Sequence, residues 1–179
     1  MQIRHKKSLG QNFLKDRLIL ERIVDSSEIN PTDDVYEIGP GDGALTEFLF
    51  QKVNSITAYE IDRSLVPILN KKFSKRNLEI VNIDFLNANL EELSNPNSVI
   101  VGNLPYNVSS QIILIILESK ITFKHCIIMV LKEMANRFIL SQEKASKLSL
   151  LAKLRADIEE LFEIPPEAMT FTGCLAANM

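Results

Sequence analysis

Short apolar runs alternate with helical patterns along most of the chain. Five runs read as buried strands because several of them lack polar alternation; they cover residues 34–39, 55–62, 78–84, 98–103 and 125–131. Between them apolar residues recur every three or four positions, as on one face of a helix, and residues 17–29 show the same pattern before the first strand. This order predicts an α/β fold, a Rossmann-like and mostly parallel sheet with helices on both faces.

Composition narrows the class of protein. The 179 residues are 46% hydrophobic and 24% charged, which is typical of one globular domain with a substantial core. No apolar run approaches the roughly 20 residues of a membrane span, and the start of the chain lacks the apolar block of a secretion signal. Cys126 and Cys174 share no metal or redox spacing. We expect a cytoplasmic monomer that uses neither a membrane nor a metal.

The charge is unevenly distributed. Residues 1–17 carry five basic residues and one acidic residue, a balance of +4, whereas the remaining 15 basic and 22 acidic residues give −7. A basic arm on an acidic body is suited to contact phosphates, as in nucleic-acid binding. Charge alone does not separate this interpretation from an ordinary solvated terminus.

A glycine-rich turn follows the first predicted strand. Gly39, Gly41 and Gly43 stand between that strand and the next helical pattern, where glycine lets a backbone approach a ligand closely. Glu60, at the end of the second strand, follows Gly41 by 19 residues, about the spacing at which an acidic residue binds ribose hydroxyls. Asp62 has the same side-chain parity and is the alternative.

The third predicted strand also ends in a carboxylate, Asp84, which is followed by Phe85. Open α/β sheets bind ligands at the carboxyl ends of their strands. Three such ends with glycines, a glutamate and an aspartate predict a nucleoside cofactor, and up to this point NAD fits as well as S-adenosylmethionine.

The segment GNLPYNVSS at the end of the fourth strand separates the two cofactors. An adenine amine is a poor nucleophile, and acceptors such as the Asn103 side chain and the Leu104 carbonyl could hold its N–H groups and aim its lone pair. Pro105 fixes the backbone, and Tyr106 offers a face on which an extruded base can stack. Ser109 or Ser110 is expected to cap the next helix. An NAD-dependent dehydrogenase leaves this segment unexplained.

In these segments the chain resembles the ribosomal RNA adenine N6,N6-dimethyltransferase family of KsgA type, with its relatives the erythromycin-resistance rRNA methyltransferases and the mitochondrial transcription factor B group. The matching segments are KKSLGQNFL, EIGPGDGALT, YEIDRSLV, IDFL, VGNLPYNVSS, MVLKEMANRF and LFEIPPEAM. They follow the family's order over almost the whole chain, and NLPYN favours the housekeeping branch.

The resemblance implies a class I methyltransferase fold that binds S-adenosylmethionine. The cofactor-binding residues it implies are Gln11, Asn12, Leu14, Gly39, Gly41, Glu60, Ile61, Asp84, Phe85 and Asn103. The catalytic residues it implies are Asn103, Leu104, Pro105 and Tyr106.

The implied reaction is dimethylation of two adjacent adenines near the 3′ end of small-subunit rRNA, within the immature small ribosomal subunit. The implied organisation is a basic segment and helix (1–30) that closes over the cofactor, followed by the catalytic domain (31–179). Two alternatives stay open: a non-catalytic RNA-binding or ribosome-assembly module, and a large-subunit methyltransferase of the erythromycin-resistance type.

The sequence departs from the family pattern after EIPPEAM. Where the family continues with a final strand and a helical domain, this chain reads TFTGCLAANM. We therefore expect the helical domain to be absent and the last strand of the sheet to be missing, which would leave backbone groups unpaired at that edge. We also expect cofactor binding to survive better than RNA methylation.

Overall fold

The computed structural model describes residues 14–139, 147–164 and 174–178. The strands in these ranges are β1 Asp34–Ile38, β2 Ser55–Tyr59, β3 Asn77–Val81, β4 Ser98–Asn103, β5 His125–Met129, β6 Asp157–Phe162 and β7 Cys174–Asn178. They form one sheet in the order β3-β2-β1-β4-β5-β7-β6. Strands β1 to β5 are parallel, and β7 runs antiparallel to both β5 and β6. The predicted parallel α/β sheet is confirmed.

The helices follow the strands in alternation. They are α1 Arg17–Asp25, α2 Ala44–Leu49, α3 Val66–Lys72, α4 Ser109–Glu118, α5 Lys132–Ile139 and α6 Lys147–Arg155, with short 3-10 helices at Phe85–Asn87 and Leu90–Leu93. Asp16 starts α1, because its Oδ1 accepts hydrogen bonds from the N–H groups of Leu18 and Ile19 at 3.0 and 3.3 Å. The helix predicted over residues 17–29 is present but ends at Asp25.

Two hydrophobic layers cover the sheet, one on each face. Helices α1, α2 and α3 pack on one face, which Val35 of β1 also joins. Helices α4, α5 and α6 and the 3-10 helices pack on the other, with Ile38 of β1. Because successive side chains of a strand face opposite sides of the sheet, Val35 packs in one layer and Ile38 in the other, which explains why the buried strands read as nearly continuous apolar runs.

The far edge of the sheet corrects one expectation. We expected the last strand to be missing, but residues Cys174–Asn178 form β7 between β5 and β6. Leu175 pairs with Ile128 on one side and with Glu160 on the other. Antiparallel pairing is made by backbone groups, so this segment can complete the ladders without the family's sequence pattern.

Candidate active site

The strand register brings four loops to one edge of the sheet. Ile38, the last residue of β1, lies opposite Tyr59 of β2 and Gly102 of β4. Tyr59 in turn lies opposite Val81, the last residue of β3. Because these strands are parallel, the segments after them start side by side at their carboxyl ends. The glycine-rich turn, Glu60, Asp84 and Asn103, predicted separately from the sequence, therefore leave the same edge.

The first of these segments is the glycine loop, residues 39–43. Gly39, Gly41 and Gly43 have φ of 70°, 59° and 76°, in the left-handed region that side chains disfavour. At Gly43 a Cβ atom would lie 2.6 Å from Cε2 of Phe73. At Gly39 the nearest protein atom to such a Cβ is the carbonyl oxygen of Asn103, at 3.9 Å. Gly43 is thus required by packing, whereas the backbone at Gly39 is open to a ligand.

Glu60 is built into this loop. Its side chain is 2% exposed; Oε2 accepts the N–H of Gly41 at 3.1 Å, and Oε1 accepts the N–H of Asp62 at 2.7 Å. Burial raises the pKa of Glu60 above its ordinary value, while the N–H donors of Asp62 and Gly41 oppose that rise. The N–H of Ile61 also lowers this pKa as a donor; because a carboxylate has about four acceptor positions, capacity remains for a donor from a ligand.

The neighbours of Glu60 have different surroundings. Asp62, the alternative acidic residue, accepts both the N–H and the hydroxyl of Ser64, at 3.0 and 2.6 Å. Ile61 between them is 49% exposed. The structure thus favours Glu60 over Asp62 as the acidic group on the glycine loop, with an apolar side chain exposed next to it.

Asp84 and Phe85 follow β3, which ends at Val81, three residues before the predicted strand end at Asp84. Oδ1 of Asp84 accepts the N–H of Leu86 at 3.0 Å, which starts the first 3-10 helix. The ring of Phe85 is 4% exposed and packs edge-on against Tyr59, with centroids 5.2 Å apart. Asp84 is half-buried, whereas Phe85 is buried. Of the two, only Asp84 therefore offers polar atoms at this edge of the sheet.

The segment after β4 is anchored by its apolar residue. Leu104 is 1% exposed, and its Cδ2 lies 3.0 Å from the position that a Cβ on Gly102 would take. The carbonyl of Pro105 accepts the N–H groups of Val108 and Ser109 and so leads into α4. With Leu104 held inside, Tyr106 is displayed at the edge with 53% of its side chain exposed. Asn103 is half-buried beside the glycine loop.

The expected helix cap takes another form. Val108 precedes α4 without a side-chain cap, and Ser109 is the first helical residue. The Ser109 hydroxyl donates instead to the carbonyl of Tyr106 at 3.3 Å and contacts Sδ of Met134. Ser109 thus fixes the turn that carries Tyr106.

The remaining predicted residues belong to the start of the chain. Leu14 is 3% exposed and lies in the core layer formed with α1 and α2. Gln11 and Asn12 lie outside the described residues.

Sequence reasoning missed Glu37, a buried acid beneath the glycine loop. It is 1% exposed in β1, and its Oε2 accepts the hydroxyl of Thr46 at 2.6 Å. Burial raises the pKa of Glu37 from 4.5 to about 7, against the effects of the Thr46 hydrogen bond and of Lys72. The signal was a carboxylate inside an otherwise apolar strand, two residues before Gly39.

Comparison with known proteins decides the family. A model of the family described as ribosomal RNA adenine dimethylase matches residues 2–172. The chain belongs to the ribosomal RNA adenine dimethylase family. The resemblance inferred from the sequence is thus confirmed, and a dimethylase is an enzyme of the methyltransferase class.

Individual dimethylase relatives agree with this placement. "Ribosomal RNA small subunit methyltransferase A" of Mesomycoplasma hyopneumoniae strain J is 44% identical over 165 residues, which are 91% of this chain and 62% of the relative. The protein of the same name from Streptococcus thermophilus strain CNRZ 1066 is 42% identical over 171 residues, covering 89% of this chain and 58% of the relative. The chain spans about three fifths of the length of these curated relatives.

Solved structures share the dimethylase fold. A dimethyladenosine transferase from Plasmodium falciparum has a TM-score of 0.81 at 23% identity, covering 93% of this chain and 62% of that one. The 23S rRNA methyltransferase ErmE has a TM-score of 0.79 at 28% identity, covering 93% of this chain and 69% of that one. The predicted class I methyltransferase fold is therefore confirmed.

Two features are absent from the described residues. None of the helices there combines the length and the apolar character needed to cross a bilayer. No group of histidine, cysteine, aspartate and glutamate in the same ranges could hold a metal ion.

Proposed function

We propose that this chain uses S-adenosylmethionine to dimethylate the N6 amines of two adjacent adenines near the 3′ end of small-subunit rRNA. The observation that carries the proposal is the meeting of the glycine loop, Glu60 and the Asn103–Tyr106 segment at one edge of the sheet. The family provides the reaction class, and the relatives at 42–44% identity act on the small subunit by name.

The residues at this edge fit S-adenosylmethionine. Glu60 keeps acceptor capacity for a ribose hydroxyl, and the exposed Ile61 next to it suits the face of an adenine ring. Oδ1 of Asp42, in the glycine loop, is buried without a hydrogen-bond partner among the described residues, so an ammonium group of the methionine part would satisfy it. Asp84 is the acceptor for the adenine amine, and Phe85 supports it. Gly39 and Gly41 give backbone access to the methionine part, with Gln11, Asn12 and Leu14 closing from the start of the chain.

The bound cofactor supplies an electrophilic methyl group on a sulfonium sulfur. The chain's own residues prepare the nucleophile: the side-chain oxygen of Asn103 and the Leu104 carbonyl accept the two N–H groups of the target amine and so direct its lone pair. Pro105 holds this backbone in place, and Tyr106 stacks on the extruded base. The proton that must leave becomes acidic once the nitrogen is methylated, so no general base of matched pKa is required. Orientation by Asn103 is then the main contribution of the protein to the chemical step.

The same proposal assigns organisation and setting. Residues 31–179 form the catalytic domain, and residues 1–30 close over the cofactor. The partner is the immature small ribosomal subunit, so the chain acts in the cytoplasm, and we infer that it does so as a monomer. Light scattering during gel filtration tests the last point, since a dimer would appear at twice the mass of 20.3 kDa.

The test compares Asn103→Ala with Asn107→Ala, an exposed asparagine four residues further along the same segment. Each variant is incubated with labelled S-adenosylmethionine and under-methylated small or large ribosomal subunits, and label in the rRNA is counted. We expect the wild type and Asn107→Ala to label the small subunit, and Asn103→Ala to lose at least about 100-fold in rate, the scale of one lost orienting group.

Three outcomes would contradict the proposal. Full activity of Asn103→Ala would remove the proposed mechanism. Label in large-subunit rRNA would favour the erythromycin-resistance type of enzyme, which the likeness to ErmE keeps as a second candidate. Binding of the wild type to subunits without any label would favour the non-catalytic assembly module.

A further inference from the structure

A second basic region includes α3 and is separated in sequence from the basic start of the chain. Residues 63–76, called here the α3 basic segment, carry five basic and no acidic side chains, although the whole chain has a net charge of −3. The five are Arg63, Lys71, Lys72, Lys75 and Arg76. Charge summed over residues 18–179 is negative and conceals this local excess.

Two of the five side chains are engaged by the protein. Nζ of Lys72 donates to the carbonyls of Asp42 and Gly43 at 3.2 and 3.0 Å, and it lies 3.4 Å from Oε2 of Glu47. The guanidinium of Arg76 lies over the ring of Phe50, 5.6 Å from its centroid. Lys72 therefore attaches the α3 basic segment to the glycine loop.

The other three basic side chains are candidates to bind a ligand outside the chain. Arg63, Lys71 and Lys75 are exposed, and no ion-pair partner for them occurs in the ranges that the structure describes. Some lysines outside the segment are paired, as Lys52 is with Asp25 and Lys147 with Glu118. Three uncompensated cations on one short segment create a positive potential that attracts polyanions.

The dimensions of the segment suit a nucleic-acid backbone. Helix α3, from Val66 to Lys72, is about 10 Å long at about 1.5 Å per residue; Arg63 precedes it, Lys71 lies in its last turn and Lys75 follows it. Phosphates of one nucleic-acid strand recur about every 3.4 Å along the helix axis, so about three of them span that length.

We propose that the α3 basic segment binds the phosphodiester backbone of the RNA substrate through Arg63, Lys71 and Lys75. The proposal rests on the proposed function, which supplies the RNA, and adds to it a docking surface behind the cofactor loop. Contacts of this kind position an RNA without reading its sequence. Because Lys72 joins the segment to the glycine loop, RNA held there is positioned relative to the cofactor site.

The test uses the full chain with Arg63, Lys71 and Lys75 all changed to Gln. Its control carries the same loss of three charges at Lys52, Lys120 and Lys147, which lie outside the segment. Binding of a fluorescein-labelled RNA hairpin with two adjacent adenines in its loop is measured by anisotropy between about 50 and 200 mM salt. Methyl transfer to under-methylated small subunits is measured separately.

Each phosphate contact contributes about 0.7 to 0.9 to the slope of log affinity against log salt. We expect the substitutions in the segment variant to reduce that slope by about 2. Binding should then be roughly 100-fold weaker at 0.1 M salt, since a slope lower by 2 changes the affinity by a factor of about 100 over the decade of salt concentration between 1 M and 0.1 M. The control should keep most of the wild-type slope, and all three proteins should bind S-adenosylmethionine equally.

An unchanged slope in the segment variant overturns the inference, as does an equal reduction in the control. Absence of RNA binding by the wild type overturns it as well. A different result would contradict the proposed function. If the wild type binds RNA with the expected slope but transfers no methyl group, the α3 basic segment is an RNA-binding surface and the proposed reaction is wrong.

Discussion

The buried carboxyl group of Glu37 predicts an unusual dependence of stability on pH. Its pKa is about 7 in the folded chain and about 4.5 when unfolded, so between these values the folded state binds the proton more tightly. Stability contributed by this group is therefore fully present below pH 4.5 and is lost as the pH rises through 7. The difference between these two pKa values corresponds to about 3.5 kcal/mol, at about 1.4 kcal/mol for each pKa unit.

The perturbation that isolates this effect is Glu37→Gln, which has similar volume and keeps an oxygen to accept the Thr46 hydroxyl. Urea unfolding at pH 5, 6, 7 and 8 gives the free energy of unfolding of both proteins. We expect the variant to gain on the wild type as the pH rises, by up to about 3 kcal/mol at pH 8. The facing groups Glu60, Lys72 and Asp42 are present in both proteins, so the difference between the two isolates Glu37.

A matched control is Thr46→Val, which removes the hydrogen bond that lowers the pKa of Glu37 and should extend the loss of stability to higher pH. Parallel stability curves for the wild type and Glu37→Gln would refute the reasoning, because the buried carboxyl group would then not titrate in this range.

Three further predictions follow from the same edge of the sheet. Gly43→Ala should lower the free energy of unfolding by roughly 2–5 kcal/mol in urea, because it adds left-handed strain and a contact with Phe73; a loss under about 1 kcal/mol would show that the loop relaxes freely. Lys72→Met should raise KM for S-adenosylmethionine severalfold at unchanged kcat, with recovery in Lys72→Arg, and equal defects in both variants would argue against a role in holding the loop. Tyr106→Ala should lose methyl transfer while Tyr106→Phe retains most of it, since stacking needs the ring and not the hydroxyl; equal activity of the two would exclude stacking as the role.

The central strands were predictable because their burial on both faces leaves a pattern in the local sequence. Buried parallel strands are continuous apolar runs, so residues 98–103 were predicted with the ends that β4 has in the structure. Strand β6 was missed because its side chains alternate irregularly and are largely exposed, as in DIEELF, which carries no apolar run. Strand β7 was missed because its place depends on pairing with β5 and β6, a tertiary relation that the sequence of five residues does not encode.

The candidate site was predictable where spacing reflects backbone geometry. Gly41 and Glu60, which the spacing predicted to act together, are joined by a direct hydrogen bond. The parallel strands β1 and β2 hold their carboxyl ends in register and so bring the two residues together. Glu37 was overlooked because a single acid in an apolar strand gives no spacing pattern. Lys72 could not be assigned either, since its contact with Gly43 joins residues 29 positions apart through packing alone.

Calorimetric titration with S-adenosylmethionine tests the central claim most directly, that the glycine loop and Glu60 form a cofactor site. The account predicts saturable binding of one cofactor per chain, weakened about 10- to 100-fold in Glu60→Gln, because an amide cannot accept from both N–H donors and the ribose as a carboxylate does. No measurable heat of binding with the folded wild-type chain, or equal affinity of the variant, would contradict it.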